Sequence, residues 1–310
     1  MTDPLHPLDL SGVFTALITP FTRDGFVDEA ALADLIEYQI ESGVSGLVPC
    51  GTTGESPTLS HAEHDHVVDF TVRQTAGRVP VIAGTGSNST AEAIQLSQHA
   101  EMSGVDGVLL INPYYNKPTQ KGLYEHFRAV AGAVNIPVIL YNIQARTAVN
   151  IETPTLVRLA QDCPNIVGVK EASGNLRQMA DVLEQRLPGF QVVSGDDNLA
   201  LDLLELGGHG VISVASNIIP AQMAELVRLG QSGQLEEARA LQASLGDFFR
   251  ACFCETNPIP IKTALAEYGW CEELFRLPMT TLEDEAHREE ILRALAGLDV
   301  KRGRRLKAES

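Results

Sequence analysis

The chain has 310 residues, is 44% hydrophobic and 20% charged, and has a mean hydropathy of +0.01, too apolar for a disordered chain and too polar for a membrane bundle. Lys and Arg number 23 against 40 Asp and Glu, a net charge of −17 with a pI near 4.8, so most of the surface repels a phosphate backbone and nucleic acid is not an expected partner. The length suits one α/β barrel or two smaller domains, and a core of this size needs no staples.

The N-terminus, MTDPLHPLDL, has neither the basic nor the apolar region of an export signal, and no run reaches transmembrane length. Cysteines stand at 50, 163, 252, 254 and 271, an odd number without paired spacing. A reduced, cytoplasmic protein is expected. Cys252 and Cys254 have no second pair nearby and read as small apolar residues rather than metal ligands.

Eight short β-rich runs then follow: 13–20, 46–51, 79–86, 107–113, 137–143, 166–172, 190–197 and 210–216. Their apolar residues are continuous rather than alternating, the pattern of parallel strands covered on both faces. Between them lie amphipathic stretches such as 28–41, 61–76, 89–103 and 121–134, and Ser60 with Glu63 forms a plausible capping box. Eight β-α units predict a (β/α)8 TIM barrel. The rival, a doubly wound open sheet, more often carries a G-x-G-x-x-G turn after its first strand, where this chain has TPFTRDG. Past residue 217 the β signals stop and 221–298 reads as helices broken at Asn257-Pro258 and Pro278. The predicted organisation is a catalytic barrel over 11–230, a helical domain over 231–300, and a basic, disordered tail over 301–310.

In a barrel the reactive groups collect at the C-terminal strand ends. These ends carry Thr19, Gly51 to Glu55, Gly84 to Gly86, Asn112 to Tyr115, Tyr141 and Asn142 with Arg146 following, Lys170, Gly195 to Asp197, and Ser213 to Asn217. Lys170 is the sharpest feature, because it interrupts the apolar run IVGVKEA. Desolvation there favours the neutral amine, the nucleophile that forms a Schiff base with a ketone. Glu171 alternates to the other face and need not hold that amine charged. A snorkelling or ion-paired lysine is the plain alternative.

Tyr141 can pass protons or can be a core tyrosine with one hydrogen bond. Gly51-Thr52-Thr53-Gly54-Glu55 reads as a nest for a small carboxylate or as an ordinary turn. Arg146 offers a planar fork to a carboxylate, against a surface ion pair. Asp196 and Asp197 disfavour phosphate substrates at the strand where such barrels place amide donors. His61, His64 and His66 lie on a helical stretch without a metal-binding spacing. Together the strand ends fit covalent carbonyl chemistry on an anionic small molecule.

These residues resemble those of the dihydrodipicolinate synthase family, within the pyruvate-dependent class I aldolases. The signatures are GTTGES (51–56), AGTGSNSTAEA (83–93), NPYYNKP (112–118), YNIQART (141–147), GVKEASGN (168–175), SGDD (194–197), GGHGVISV (207–214) and NPIPIK (257–262). The resemblance implies Lys170 as the lysine that binds pyruvate, and Tyr141 as a proton shuttle working with Thr52 and Tyr115. Tyr115 is implied to come from a neighbouring subunit of a homotetramer built as a dimer of dimers. Thr53 and the main chain around Ile212 are implied to hold pyruvate, and Arg146 the carboxylate of aspartate semialdehyde. The implied product is 4-hydroxy-tetrahydrodipicolinate, on the route to lysine and diaminopimelate, with no cofactor beyond the lysine imine. Ser56, His61, His64, Asn88, Glu92 and Tyr114 fall where some members bind lysine as an inhibitor.

Gln144 and Ala145 depart from the family's usual Pro and Ser, and Pro57 removes an amide donor beside Ser56. Two rivals stand: a related aldolase or dehydratase acting on a keto-deoxy sugar acid or sialate, and a non-catalytic keto-acid or amino-acid sensor barrel.

Overall fold

The computed structural model describes residues 8–304. Its eight strands are β1 (Gly12–Ala16), β2 (Gly46–Val48), β3 (Ile82–Gly84), β4 (Gly107–Ile111), β5 (Val138–Asn142), β6 (Ile166–Glu171), β7 (Gln191–Ser194) and β8 (Gly210–Ser213). All the ladders are parallel, in the order β2-β1-β8-β7-β6-β5-β4-β3. A parallel bridge between Leu47 and Val81 joins the two ends. The predicted barrel is therefore observed, and the open sheet is not.

Between the strands run α1 (Glu29–Glu41), α2 (His61–Thr75), α3 (Thr90–Ser103), α4 (Gln120–Ala131), the short α5 (Gln144–Thr147), α6 (Thr153–Asp162), α7 (Leu176–Gln185), α8 (Ala200–Glu205) and α9 (Pro220–Gln231). Their starts are set locally. The Ser60 hydroxyl accepts from the Glu63 amide while the Glu63 carboxylate accepts from the Ser60 amide, the predicted capping box. Ser89, Thr119 and Asn175 cap α3, α4 and α7 in the same sense.

The strands are shorter than their apolar runs. The run at 79–86 gives a ladder only over Ile82–Gly84; the Thr85 amide still donates to the Leu109 carbonyl of β4 at 3.1 Å, while its hydroxyl sits 2.8 Å from that of Ser97 on α3. The strand ends thus become loops on the face where the reactive groups were expected.

Side chains sort into two layers. Leu10, Phe14, Val48, Ile82, Leu109, Ile139, Val193 and Ile212 fill the barrel interior, and the alternate residues, such as Leu47, Val108, Leu140 and Val169, join the larger core under the helices. Asn217, fully buried, stitches the barrel at β1: its amide donates to the Ala16 and Val214 carbonyls, and its oxygen accepts from the Ile18 amide.

The C-terminal helices are α10 (Leu235–Ala251), α11 (Ile259–Glu267) and α12 (Glu285–Leu295), with breaks spanning both predicted proline positions. The expected disorder of the tail fails for its first four residues. Trp270 donates its indole N–H to the Lys301 carbonyl at 3.0 Å, and the Gly303 amide donates to the Tyr268 carbonyl at 2.8 Å. Lys301 and Arg304 meet Glu41 and Asp34 on the acidic side of α1 at 3.0 and 3.4 Å. A buried indole needs an acceptor, and a basic tail beside acidic α1 supplies one. Residues 305–310 lie outside the described residues.

Candidate active site

Tyr141 and Lys170 are register partners at the ends of β5 and β6, so the alternation that puts Ile139 in the barrel interior turns both toward its mouth. The Lys170 amine lies over the Tyr141 ring, 4.3 Å from its centroid. Both side chains are buried. Burial pushes the Lys170 amine down to about 8; the field of Asp197 opposes this and that of Arg146 adds to it. At pH 7 a group titrating there is neutral in roughly one molecule in ten, against about one in several thousand for an ordinary lysine. Burial also pushes the Tyr141 phenol up to about 12, against Arg146 and a hydrogen bond with the Thr52 hydroxyl. A neutral phenol beside a lysine amine that is readily deprotonated is equipped for proton passage and nucleophilic attack.

Glu171 faces away, as predicted. Its carboxylate accepts from Asn142, Gln178 and the Ser173 amide. The acid that acts on Lys170 is instead Asp197, after β7, whose Oδ2 accepts from the Val214 and Ala215 amides at 3.1 and 2.9 Å. Gly195 makes room for the lysine stem: a Cβ there would stand 2.8 Å from Lys170 Cε.

The loop after β2 folds as a tight turn, with the Gly54 amide donating to the Gly51 carbonyl and the Glu55 amide to the Thr52 carbonyl, both at 3.1 Å. Thr53 is buried, and its hydroxyl accepts from the Asn257 amide at 3.0 Å. The single hydroxyl proton is then free to donate to a carboxylate. Arg146 stands on α5, where Nη2 donates to the Asn257 carbonyl at 3.0 Å. Among the described residues no carboxylate forms an ion pair with Arg146.

A small cavity of about 50 Å³ is lined by Thr52, Thr53, Tyr141, Arg146, Lys170, Gly195, Val214, Phe253 and Asn257. A second one of about 340 Å³ shares Thr52, Tyr141 and Arg146 and extends along Ser56, Pro57, His61, His64, Glu92 and Tyr114. In it the His61 ring lies 2.7 Å from Glu92, whose other oxygen accepts from Ser87. His64 is buried against the Gly84 carbonyl at 2.8 Å, and burial lowers its proton affinity.

The fold thus brings together Thr52, Thr53, Tyr141, Arg146 and Lys170, and separately five of the six polar residues around Ser56. Asn88 lines neither cavity; its carbonyl accepts from Asn116. Tyr115 is not at the mouth within this chain. It has a left-handed backbone (φ 73°) and is 90% exposed. The Ile212 side chain lies in the barrel interior, and Val214, two residues on, faces the cavity.

Phe253 and Asn257 carry the site's far wall and were not singled out by residue type. Asn257 lies within NPIPIK, but its contact with Thr53 spans 204 residues, and no local pattern encodes such a pairing. Among the described residues no group of three His, Cys, Asp or Glu has a metal-binding arrangement.

A family model described as the dihydrodipicolinate synthetase family matches residues 9–296. The 4-hydroxy-tetrahydrodipicolinate synthase of Oleidesulfovibrio alaskensis is 51% identical over 291 residues, covering 94% of this chain and 99% of the relative. The crystal structure of dihydrodipicolinate synthase from Aquifex aeolicus superposes with a TM-score of 0.91 at 47% identity, over 93% of this chain and 97% of that one. That of the enzyme from Cyanidioschyzon merolae, with lysine bound, gives 0.89 at 42% identity, over 92% and 97%. Matched over most of its length by sequence and by backbone, the chain belongs to the dihydrodipicolinate synthetase family.

Proposed function

We propose that the chain is a 4-hydroxy-tetrahydrodipicolinate synthase, a lyase that condenses pyruvate with aspartate semialdehyde in lysine and diaminopimelate biosynthesis. The observation that carries this is the buried Lys170 amine held over the Tyr141 ring and lowered to about 8 by its surroundings.

In the proposed sequence the neutral Lys170 amine attacks the ketone carbon of pyruvate, and water leaves to give an iminium. Loss of a methyl proton yields an enamine, with the imine nitrogen as electron sink. The enamine carbon attacks the aldehyde carbon, whose oxygen takes a proton. The product's own amine then displaces Lys170 and closes the ring. Protons pass along Tyr141 and Thr52, and Tyr115 from a second copy of the chain completes the relay; its 90% exposure within one chain supports that assignment. Thr53 and the main chain after Ile212 bind the pyruvate carboxylate, and Arg146 binds that of the aldehyde. The lysine side chain supplies the electrophilic activation, so no cofactor enters this sequence.

The larger cavity, with Ser56, His61, His64, Glu92 and Tyr114 on its wall, is proposed to take lysine as an inhibitor, with Glu92 against the ammonium. A homotetramer and a cytoplasmic location complete the reading; no helix among the described residues is long and apolar enough to cross a membrane.

The test is pyruvate-dependent turnover of aspartate semialdehyde, with borohydride trapping of pyruvate on the protein. Turnover and trapping in the parent, both abolished in Lys170→Ala, are expected. Trapping without turnover moves the aldehyde to another substrate, such as a sugar acid. Neither signal leaves a sensor. Saturating lysine is expected to slow the parent but not His61→Ala; equal rates in the parent with and without lysine refute the inhibitor site.

A further inference from the structure

The turn that carries Thr52 and Thr53 ends at Glu55, a non-glycine residue with a left-handed backbone (φ 52°, ψ 34°). Its side chain is 1% exposed and pairs with Lys262, which is fully buried on α11, at 2.5 Å. The second Glu55 oxygen accepts from the Arg276 amide at 3.3 Å. The Lys262 amine is further enclosed by the Phe21 and Phe275 rings, 4.2 and 5.0 Å from their centroids. Five residues before Lys262, Asn257 grips Thr53. One segment of the C-terminal helices therefore holds two positions of a single turn.

A buried ion pair is a weak way to gain stability, since taking both charges out of water opposes their attraction, and apolar residues of similar volume often serve the fold equally well. A left-handed glutamate adds strain. Both features converge on the turn that presents Thr52 and Thr53 to Lys170. Arg276 is occupied elsewhere, by Glu63 and the Thr58 and Gly25 carbonyls, so Lys262 is the side-chain cation that holds Glu55 in place.

We propose that Lys262 is a positioning residue for the pyruvate pocket: through Glu55 it fixes the Thr52–Thr53 turn at the distance from Lys170 that the bound keto acid requires. This rests on the Schiff-base reading above. Lys262 touches neither substrate nor the reacting atoms.

The test is the neutral double variant Lys262→Met with Glu55→Gln, which removes both charges together and keeps an oxygen for the Arg276 amide. Interactions that bind ground state and transition state alike appear in KM. The expected result is a cooperatively unfolding protein whose pyruvate KM rises about tenfold, with a smaller fall in kcat at saturating substrate because Thr52 of the proton relay rides on the same turn. The KM for aspartate semialdehyde should change less than about twofold. A folded double variant with the parent's pyruvate KM overturns the proposal. So does one that fails to fold, because the pair would then be an element of the fold and not of the site. A parent that traps no pyruvate with Lys262 intact sinks the Schiff-base reading itself, and is told apart by that control.

Discussion

Gly195→Ala tests whether Lys170 depends on the space beside β7. A Cβ at Gly195 would stand 2.6 Å from Ala172 Cβ, 2.8 Å from Lys170 Cε and 3.1 Å from Lys170 Cγ. Carbon atoms in contact sit about 3.5–4.0 Å apart, so the lysine stem must retreat by roughly 0.7 Å or more. The amine cannot follow freely, because the Tyr141 ring lies 4.3 Å from it on one side. A misplacement approaching 1 Å costs up to about 100-fold in a reaction that needs near-attack geometry. Overpacking costs about 1–3 kcal/mol of stability, a few degrees in melting temperature for a chain of this size. The assay is the rate of borohydride-trapped pyruvate adduct, followed by intact mass on protein shown by its melting curve to be folded. Trapping slowed by roughly 30- to 100-fold is expected. A folded variant that forms the adduct at the parent's rate refutes the idea that Gly195 sets the lysine's position.

Imine formation needs the neutral amine, so the trapping rate at low pyruvate should rise with pH and level off above about 8, where Lys170 titrates. Asp197 holds that value up, and Asp197→Asn should move the profile to lower pH; an unmoved or upward-shifted profile contradicts the assignment. For Arg146→Ala, the KM for aspartate semialdehyde should rise about 10-fold or more. Because the Arg146 field also lowers the Lys170 amine, pyruvate trapping should slow near neutral pH but change little on the high-pH plateau, and equal losses in both on that plateau would remove its assigned role. Deleting residues 301–310 takes away the Lys301 carbonyl that accepts from the only tryptophan, Trp270. Loss of about 0.5–1.5 kcal/mol and a red-shifted emission are expected, and a truncated chain with the parent's spectrum would show that the contact is not formed.

Some of this molecule is legible from order along the chain. The eight continuous apolar runs specify parallel strands because a strand covered on both faces has no polar side, and the caps at Ser60 and Asn175 act within three residues. Lys170 is conspicuous for the same local reason: a cation inside an apolar strand must find an unusual setting, and strand alternation already turns it away from Glu171. Where the runs end as ladders is less legible, since Gly195 has strand neighbours yet serves the mouth of the barrel.

Tertiary structure alone decided the surroundings that give those residues their chemistry. Asp197 sets the field at Lys170, Asn257 orients the Thr53 hydroxyl, and Lys262 reaches Glu55 across 207 residues. The tail's docking on Trp270 and the acidic face of α1 is of the same kind. Local patterns report which face of a strand or helix is apolar, because that follows from the period of the backbone. They are silent on which distant polar group completes a buried site, because such pairs are made when the chain closes into a barrel and not before.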